Sequence, residues 1–110
     1  MRKINLENYM VQARTPEGIR KLPYDVKEAL ENIIFHPELK LGGREIILRG
    51  KLAEKIDKAE KEIILEESEF SKIKQAFETV KGFGKNEIEL CRRVLEAEQV
   101  EVEEKKNKKK

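Results

Sequence analysis

Tryptophan is absent from this sequence of 110 residues, and cysteine and histidine occur once each, at Cys91 and His36. A lone cysteine cannot form an intramolecular disulfide, and a lone histidine lacks the further ligands that a zinc site requires. The low cysteine content agrees with a reducing compartment. We therefore expect Cys91 to be a small core residue, His36 to serve a structural role at a helix end, and no metal site.

Long apolar runs are also missing, and aromatic residues make up only 5% of the chain. A membrane span needs about 18 consecutive apolar residues, and the start Met1-Arg2-Lys3 is followed by alternating polar residues instead of a signal-peptide segment. We expect a cytoplasmic protein that does not enter a membrane. Few aromatic side chains are available to enclose a small molecule, so no small-molecule substrate is expected.

Motifs that would require a particular chemistry are lacking as well. The segment Gly82-Phe83-Gly84-Lys85 invites comparison with a phosphate-binding loop, but a Walker loop needs a glycine at position 79 and a hydroxyl residue after the lysine. The sequence has Thr79 and Asn86 at these positions. We interpret the segment as a tight connection between two helices, with Phe83 in the core, and we predict neither an enzyme nor a cofactor site.

Charged residues are abundant at 42% of the chain, well above the roughly 25% of ordinary soluble domains. The formal net charge is +2, but five lysines lie within the last six residues, and without those five charges the remainder carries −3. The basic character therefore belongs to the C-terminal end and does not indicate what the folded part contacts. We predict one domain over residues 1–103 and a disordered, lysine-rich tail over residues 104–110.

The first part of the chain predicts a β-hairpin. Residues 3–13 carry two alternating apolar sets whose phase changes near Asn8, a pattern typical of a strand with a bulge. Thr15-Pro16-Glu17-Gly18 fits a type I turn. Residues 19–22 would then return antiparallel to the first strand, and Pro23 would end the hairpin.

Helical periodicity covers most of the remainder, with capping residues at the expected helix starts. The predicted helices run from Asp25 to about Phe35, from Arg44 to about Lys61, from Ser68 to about Val80, and from Asn86 through Leu95. Residues 62–65 predict a buried strand that pairs with the hairpin, and residues 100–102 predict an edge strand. The fold class is α+β: an N-terminal β-hairpin with a small sheet, packed against three or four amphipathic helices.

Basic residues on two predicted helices are candidate contacts for a polyanion, because guanidinium groups suit phosphate and carboxylate. Interspersed glutamates, the net charge of −3 without the tail lysines, and the lack of an aromatic stacking series argue against nucleic acid. The candidates are Arg44, Arg49, Lys51 and Lys55, which would share one face of the second helix, and Arg92 and Arg93 on the last helix.

The order of a short bulged strand, a Pro-Gly turn, the phrase Pro23-Tyr24-Asp25-Val26-Lys27 and compact charged helices resembles small accessory proteins encoded by bacteriophages and prophages. This resemblance implies a role in head or tail assembly, in transcriptional regulation, or in binding and inhibiting host proteins. It also implies a location in the host cytoplasm or in the virion. It carries over no functional residue, because no motif matches residue by residue.

Amphipathic elements in a charge-dense chain without a catalytic constellation favour a non-enzymatic protein that binds other proteins or assembles. We expect a homo-oligomer that uses an exposed edge strand or an apolar helix stripe as its contact surface. The alternative is a small nucleic-acid-binding regulator that uses the basic helix face and the tail. The two hypotheses differ in whether the folded arginines and lysines gather on one face free of carboxylates.

Overall fold

The computed structural model describes residues 1–100, and residues 101–110 lie outside the described part. The described chain has the predicted α+β fold class, with the helices on one three-stranded sheet and a separate two-stranded hairpin. Its strands are β1 (Arg2–Asn5), β2 (Tyr9–Thr15), β3 (Gly18–Tyr24), β4 (Glu62–Leu65) and β5 (Glu98–Gln99). Its helices are α1 (Val26–Ile34), α2 (Gly43–Lys58), α3 (Glu67–Thr79) and α4 (Ile88–Leu95), with short 3-10 turns at Pro37–Leu39 and Lys85–Glu87.

The three-stranded sheet has β1 at its centre, antiparallel to β4 on one side and to β5 on the other. The pairing of Ile4 with Ile63 and of Arg2 with Leu65 fixes the register of β1 and β4. The run at 62–65 is thus a strand, as predicted, and it pairs with residues 2–5, most of which were assigned to the first strand of the hairpin but form the separate strand β1. A two-residue edge strand lies at Glu98–Gln99, just before the predicted one at 100–102; Val100 is not part of a strand, and residues 101–102 lie outside the described part.

The predicted bulged strand over 3–13 is in fact two strands in two different sheets. Between them, the backbone N–H of Leu6 donates to the carbonyl of Lys61 at 2.8 Å, and the buried Leu6 side chain enters the core. The side chain of Asn8 accepts a hydrogen bond from the N–H of Val26 at the start of α1. The phase change near Asn8 therefore marks the passage from one sheet to the next.

The hairpin forms at the predicted turn, but its second strand continues to Tyr24. Thr15 pairs with Gly18, Gln12 with Lys21, and Met10 with Pro23. Gly18 has a φ of +119°, a backbone conformation that side chains rarely tolerate. Pro23 was predicted to end the strand; the structure accommodates it because a proline can lie on an edge strand when its missing N–H would point away from the ladder.

The helix starts follow the predicted caps at α1 but not at α3. The side chain of Asp25 accepts a hydrogen bond from the N–H of Glu28, as the sequence predicted for α1. Helix α3 begins before the predicted cap at Ser68, because the Glu69 side chain accepts a hydrogen bond from the N–H of Glu66 at 2.9 Å. Helix α2 ends at Lys58, earlier than predicted, and Ala59 returns the chain to an extended conformation.

The hydrophobic core lies between the three-stranded sheet and the helices, with Ile4, Leu30, Ile73 and Leu90 fully buried at its centre. Phe83 packs on this core by stacking on Phe77, with ring centroids 5.5 Å apart, so the Gly82–Gly84 segment is the helix connection that the sequence predicted. Cys91 lies at the margin of the core and is half-buried. The core thus holds α4 and the segment before it firmly against the sheet.

Candidate functional site

Arg49 is buried, so the prediction that it contacts a polyanion is wrong. Its side chain is 1% exposed, and its guanidinium is used inside the protein. Nη1 donates to the carbonyl of Ile34 at 3.1 Å, Nε pairs with Glu45 at 3.0 Å, and Nη2 reaches Gln75 at 3.4 Å. The carbonyl of Ile34 is one of those at the end of α1 that have no partner within the helix. Arg49 is therefore a structural clamp between α1, α2 and α3.

Arg93 is a second clamp, which holds the chain where β1 leads into β2. Its Nη1 donates to the carbonyls of Asn5 at 3.1 Å and Glu7 at 2.6 Å, and its Nε pairs with Glu89 at 3.0 Å. The guanidinium carbon lies 5.0 Å from the centre of the Tyr9 ring, a cation–π distance. Only 12% of the Arg93 side chain is exposed, and its guanidinium is used in contacts within the protein. Arg93 is therefore not a ligand contact, which corrects its prediction as one.

The other predicted cations do not form a continuous basic face either. Lys55 pairs with Glu69 at 2.8 Å, and Arg92 lies 3.8 Å from Glu89. Arg44 and Lys51 are exposed on α2 and form no ion pair within residues 1–100. The basic helix face that the sequence suggested is thereby reduced to two cations separated by two helical turns.

A different surface combines β2 with α4, and we call it the hairpin–α4 face. Two open hollows, each of about 400 Å³, flank the outer side of α4, and both share Ile88 and Arg92. The hollow toward the hairpin is lined by Tyr9, Met10, Val11, Gln12, Lys85, Asn86, Ile88, Glu89 and Arg92. The hollow on the far side is lined by Phe83, Gly84, Glu87, Ile88, Cys91, Arg92, Leu95 and Glu96.

Large apolar side chains are exposed on the hairpin–α4 face. Met10 is 58% exposed, Ile88 55% and Leu95 42%. Single exposed apolar residues are common on proteins, but here they adjoin two hollows and have charged residues around them. An apolar centre with a charged rim is the usual composition of a protein interface.

The base of the hairpin is fixed to α4 by its two tyrosines. Tyr9 stacks on Tyr24 with ring centroids 5.0 Å apart, and its hydroxyl donates to the carbonyl of Asn86 at 2.7 Å. Burial raises the pKa of both phenols, and for Tyr24 the neighbouring Glu87 carboxylate raises the pKa further. Both phenols therefore remain protonated at neutral pH and serve as structural anchors.

The hairpin–α4 face was not predicted, although the sequence contains a signal for it. Ile88, Leu90, Val94 and Leu95 were assigned to one apolar helix, but at 100° per residue Leu90 lies about 200° from Ile88. Leu90 and Val94 are fully buried, whereas Ile88 and Leu95 project from the opposite side. Met10 likewise falls out of phase with the alternating Tyr9 and Val11.

A pair of carboxyl groups lies between α1 and α2, apart from the hairpin–α4 face. Burial, together with the hydrogen bond and the charge of Asp57, raises the pKa of Glu31 to about 7. The Oε2 atom of Glu31 is buried and has no hydrogen-bond partner within residues 1–100. The pair thus favours a shared proton, and among the described residues no group of three or more side chains of metal-ligating type accompanies it.

Cys91 and His36 both have structural surroundings. Burial raises the pKa of the Cys91 thiol, and the Glu87 carboxylate raises it further. The thiol is therefore protonated and a weak nucleophile. His36 follows α1, where its Nδ1 accepts a hydrogen bond from the N–H of Glu38 at 3.1 Å. This is the structural role at a helix end that the sequence predicted.

No protein family, curated protein or solved structure matches the chain in the comparisons with known proteins. Over residues 1–100, none of the helices has the length and apolar character that a bilayer span requires. Function must therefore be argued from the geometry of this chain alone.

Replacing Arg49 by methionine should lower the free energy of unfolding by about 3–5 kcal/mol, because the Ile34 carbonyl and Glu45 lose a buried, charged partner. Urea denaturation followed by circular dichroism measures the change. Arg44→Met, an exposed change on the same helix, should stay within about 0.5 kcal/mol of wild type. Equal effects of the two substitutions would contradict the clamp.

The Glu31 carboxyl should make stability depend on pH. Because its pKa is raised in the folded state, its contribution is fully present below the ordinary value of 4.5 and is lost as the pH rises through about 7. The free energy of unfolding measured from pH 5 to pH 8 should fall less steeply for Glu31→Gln than for wild type. Glu17→Gln, in the distant hairpin turn, should keep the wild-type slope; the same slope for Glu31→Gln would disprove the assignment.

Proposed function

We propose that this protein is a non-enzymatic interaction protein that binds other proteins through the hairpin–α4 face. The observation that carries the proposal is the exposure of Met10, Ile88 and Leu95 around two adjoining hollows. Burying such side chains against a partner is favourable by roughly 25 cal/mol for each Å² of apolar surface removed from water. The charged rim would then select among partners.

The chemistry of this face supports binding over catalysis. Its thiol, Cys91, has a raised pKa, and the phenols of Tyr9 and Tyr24 are held protonated. His36 lines neither hollow, and the Glu87 carboxylate that lines the same hollow as the thiol raises the thiol's pKa instead of activating it. The residues that line the hollows suit contact with a surface better than proton transfer or nucleophilic attack.

Self-assembly belongs to the same proposal, and a second exposed surface supports it. Ile46, Ile47 and Leu48 are consecutive apolar residues on α2, and they are 42%, 62% and 40% exposed. A second copy could bury them without using the hairpin–α4 face. The resemblance to phage and prophage accessory proteins supports such an assembly or host-binding role.

Binding to nucleic acid is a second candidate, which one observation favours. Arg14, Arg20 and Lys21 are exposed on the hairpin and form no ion pair within residues 1–100. Cations on a projecting ribbon would suit a phosphate backbone. The acidic Glu89 on the α4 side and the apolar side chains of the neighbouring hollow fit a protein partner better.

Affinity capture from the native cell or infected lysate should recover a partner protein with the wild-type chain and lose it with Ile88→Asp. The aspartate would place a charge in the middle of the apolar contact surface. Phe35→Asp, at an exposed apolar residue that lies outside both proposed contact surfaces, is the control and should retain the partner. Quantitative mass spectrometry reads the result, with and without nuclease. Capture that survives Ile88→Asp but not nuclease would support the nucleic-acid candidate instead.

Sedimentation at tens of micromolar should report a species larger than the 12.9 kDa monomer. It should persist at high salt, because burial of apolar side chains is not screened by ions. Ile47→Asp should shift the equilibrium to monomer, while Arg44→Gln, nearby on the same helix, should not. A monomer under all these conditions would remove the self-assembly part of the proposal.

A further inference from the structure

Strand β2 has one edge that no strand covers within residues 1–100. Thr15 and Gly18 close a two-residue turn, so the pair they form and every second pair beyond it exchange hydrogen bonds across the hairpin. Met10, Gln12 and Arg14 lie at the intervening positions and direct their N–H and C=O groups outward. Two observations support this orientation of the backbone groups. The carbonyl of Gln12 accepts a hydrogen bond from Asn86 Nδ2, outside the hairpin, at 3.5 Å, and Pro23, which has no N–H, lies opposite Met10.

The two outer edges of the hairpin are protected to different degrees. On β3 the outward positions hold Ile19, Lys21 and Pro23, and the last two are of the types that proteins place on edges to prevent strand pairing. On β2 the corresponding positions hold Met10 and Gln12, which offer no such protection, and a cation comes only at Arg14 near the turn. The β2 edge is thus the one open to a further strand.

Beside this edge lies a furrow long enough for a strand. The hollow of about 400 Å³ between β2 and α4 adjoins a second of about 240 Å³ near the turn, and both are lined by Gln12 and Lys85. Together they follow β2 from Tyr9 to Arg14, which spans roughly 17 Å at the usual rise of a strand. Five or six residues of extended chain would cover this length.

The charge and polarity of the furrow define its occupant. Its lining contains three cations, Arg14, Lys85 and Arg92, and one carboxylate, Glu89, which lies 3.0 Å from Arg93 Nε and 3.8 Å from Arg92 Nη1, so cations outnumber carboxylates. Building on the proposed function, we propose that an extended, acidic segment of a partner protein adds to the outer edge of β2 as a third strand. Main-chain hydrogen bonds would hold the segment, and its acidic side chains would face the cations.

The same features disfavour the other occupants. Pairing of β2 with a second copy would bring the Arg14, Lys85 and Arg92 groups of two molecules together, and facing like charges destabilise a sheet. Single-stranded nucleic acid is usually held by bases stacked on aromatic rings. Tyr9, the aromatic residue of the furrow, is already stacked on Tyr24 and covered by Arg93.

A labelled eight-residue peptide of alternating valine and glutamate is a direct probe of this edge. Fluorescence anisotropy with the full chain at low salt should show saturable binding. A valine–lysine peptide should bind at least about tenfold more weakly because of the furrow cations. The valine–glutamate peptide with every valine and glutamate N-methylated should bind at least about tenfold more weakly, since it cannot donate hydrogen bonds along either edge. Equal binding of the methylated peptide would overturn strand addition.

Gln12→Pro tests the edge from the protein side. It removes one outward N–H while leaving the ladder to β3 intact, as the native Pro23 does on the other strand. We expect it to weaken the peptide about tenfold. Lys21→Pro, directly opposite, changes the other edge and should bind no more weakly than Lys21→Gln. Circular dichroism checks the fold of each variant, and if Gln12→Pro unfolds, the methylated peptide on the wild-type chain decides the question.

Further outcomes separate this proposal from the proposed function. If the valine–glutamate peptide fails to bind while Ile88→Asp still abolishes partner capture, strand addition is wrong and the interaction role stands. A thymidine 12-mer that displaces the peptide and is insensitive to Gln12→Pro would assign the furrow to nucleic acid. A dimer that both Gln12→Pro and the peptide dissociate would assign the edge to a second copy. Either of these two results would overturn the proposal.

Discussion

The buried guanidinium of Arg49 is the interaction on which the arrangement of the helices depends. It joins the last carbonyl of α1 to Glu45 on α2 and Gln75 on α3, and Glu45 also accepts from Lys72. Removing a charge from water costs several kcal/mol, which such a group recovers only when its hydrogen bonds are made. The three helices must therefore keep their relative positions for Arg49 to remain buried. Apolar packing alone would tolerate small shifts between them.

Arg93 has the corresponding role where β1 leads into β2. It binds the carbonyls of Asn5 and Glu7, which lie where the chain leaves the central sheet and enters the hairpin. Both arginines satisfy backbone carbonyls that regular secondary structure leaves unpaired. Because Arg49 and Arg93 are paired inside the protein, the positive charge at the surface comes from other residues, Arg14, Lys85 and Arg92 among them.

The sequence predicted the elements better than their partners. The Asp25 cap, the turn before Gly18 and the strand at 62–65 all follow from local chemistry, and the structure contains each of them. The two sheets were not separable, because alternation in residues 3–13 shows which side chains point inward but not which strand pairs with which. The predicted cap at Ser68 was wrong because Glu66 and Glu69 provide a local alternative of similar strength.

The exposure of individual side chains in the candidate site was harder to predict, for a different reason. Arginine is exposed in most proteins, so a pattern of arginines indicates a surface, and only tertiary contacts reveal that Arg49 and Arg93 are enclosed. Conversely, Ile88 belongs to an apolar helix pattern that predicts a core, whereas Met10 is out of phase with Tyr9 and Val11. The exposure of both depends on where β2 and α4 meet, to which the hydrogen bond from Tyr9 to Asn86, 77 positions away in sequence, contributes.

The hairpin itself gives a physical reason for a partner. A two-stranded ribbon is only marginally stable alone, and a third strand or a packed face is usually needed. This ribbon is anchored at its base, through Tyr9 and Tyr24, whereas residues 16–23 are all exposed. Its outer half therefore obtains little stability from the body of the protein and opens at low cost in free energy. A strand added along β2 would provide the missing neighbour, so that binding of a partner and ordering of the ribbon would be the same event.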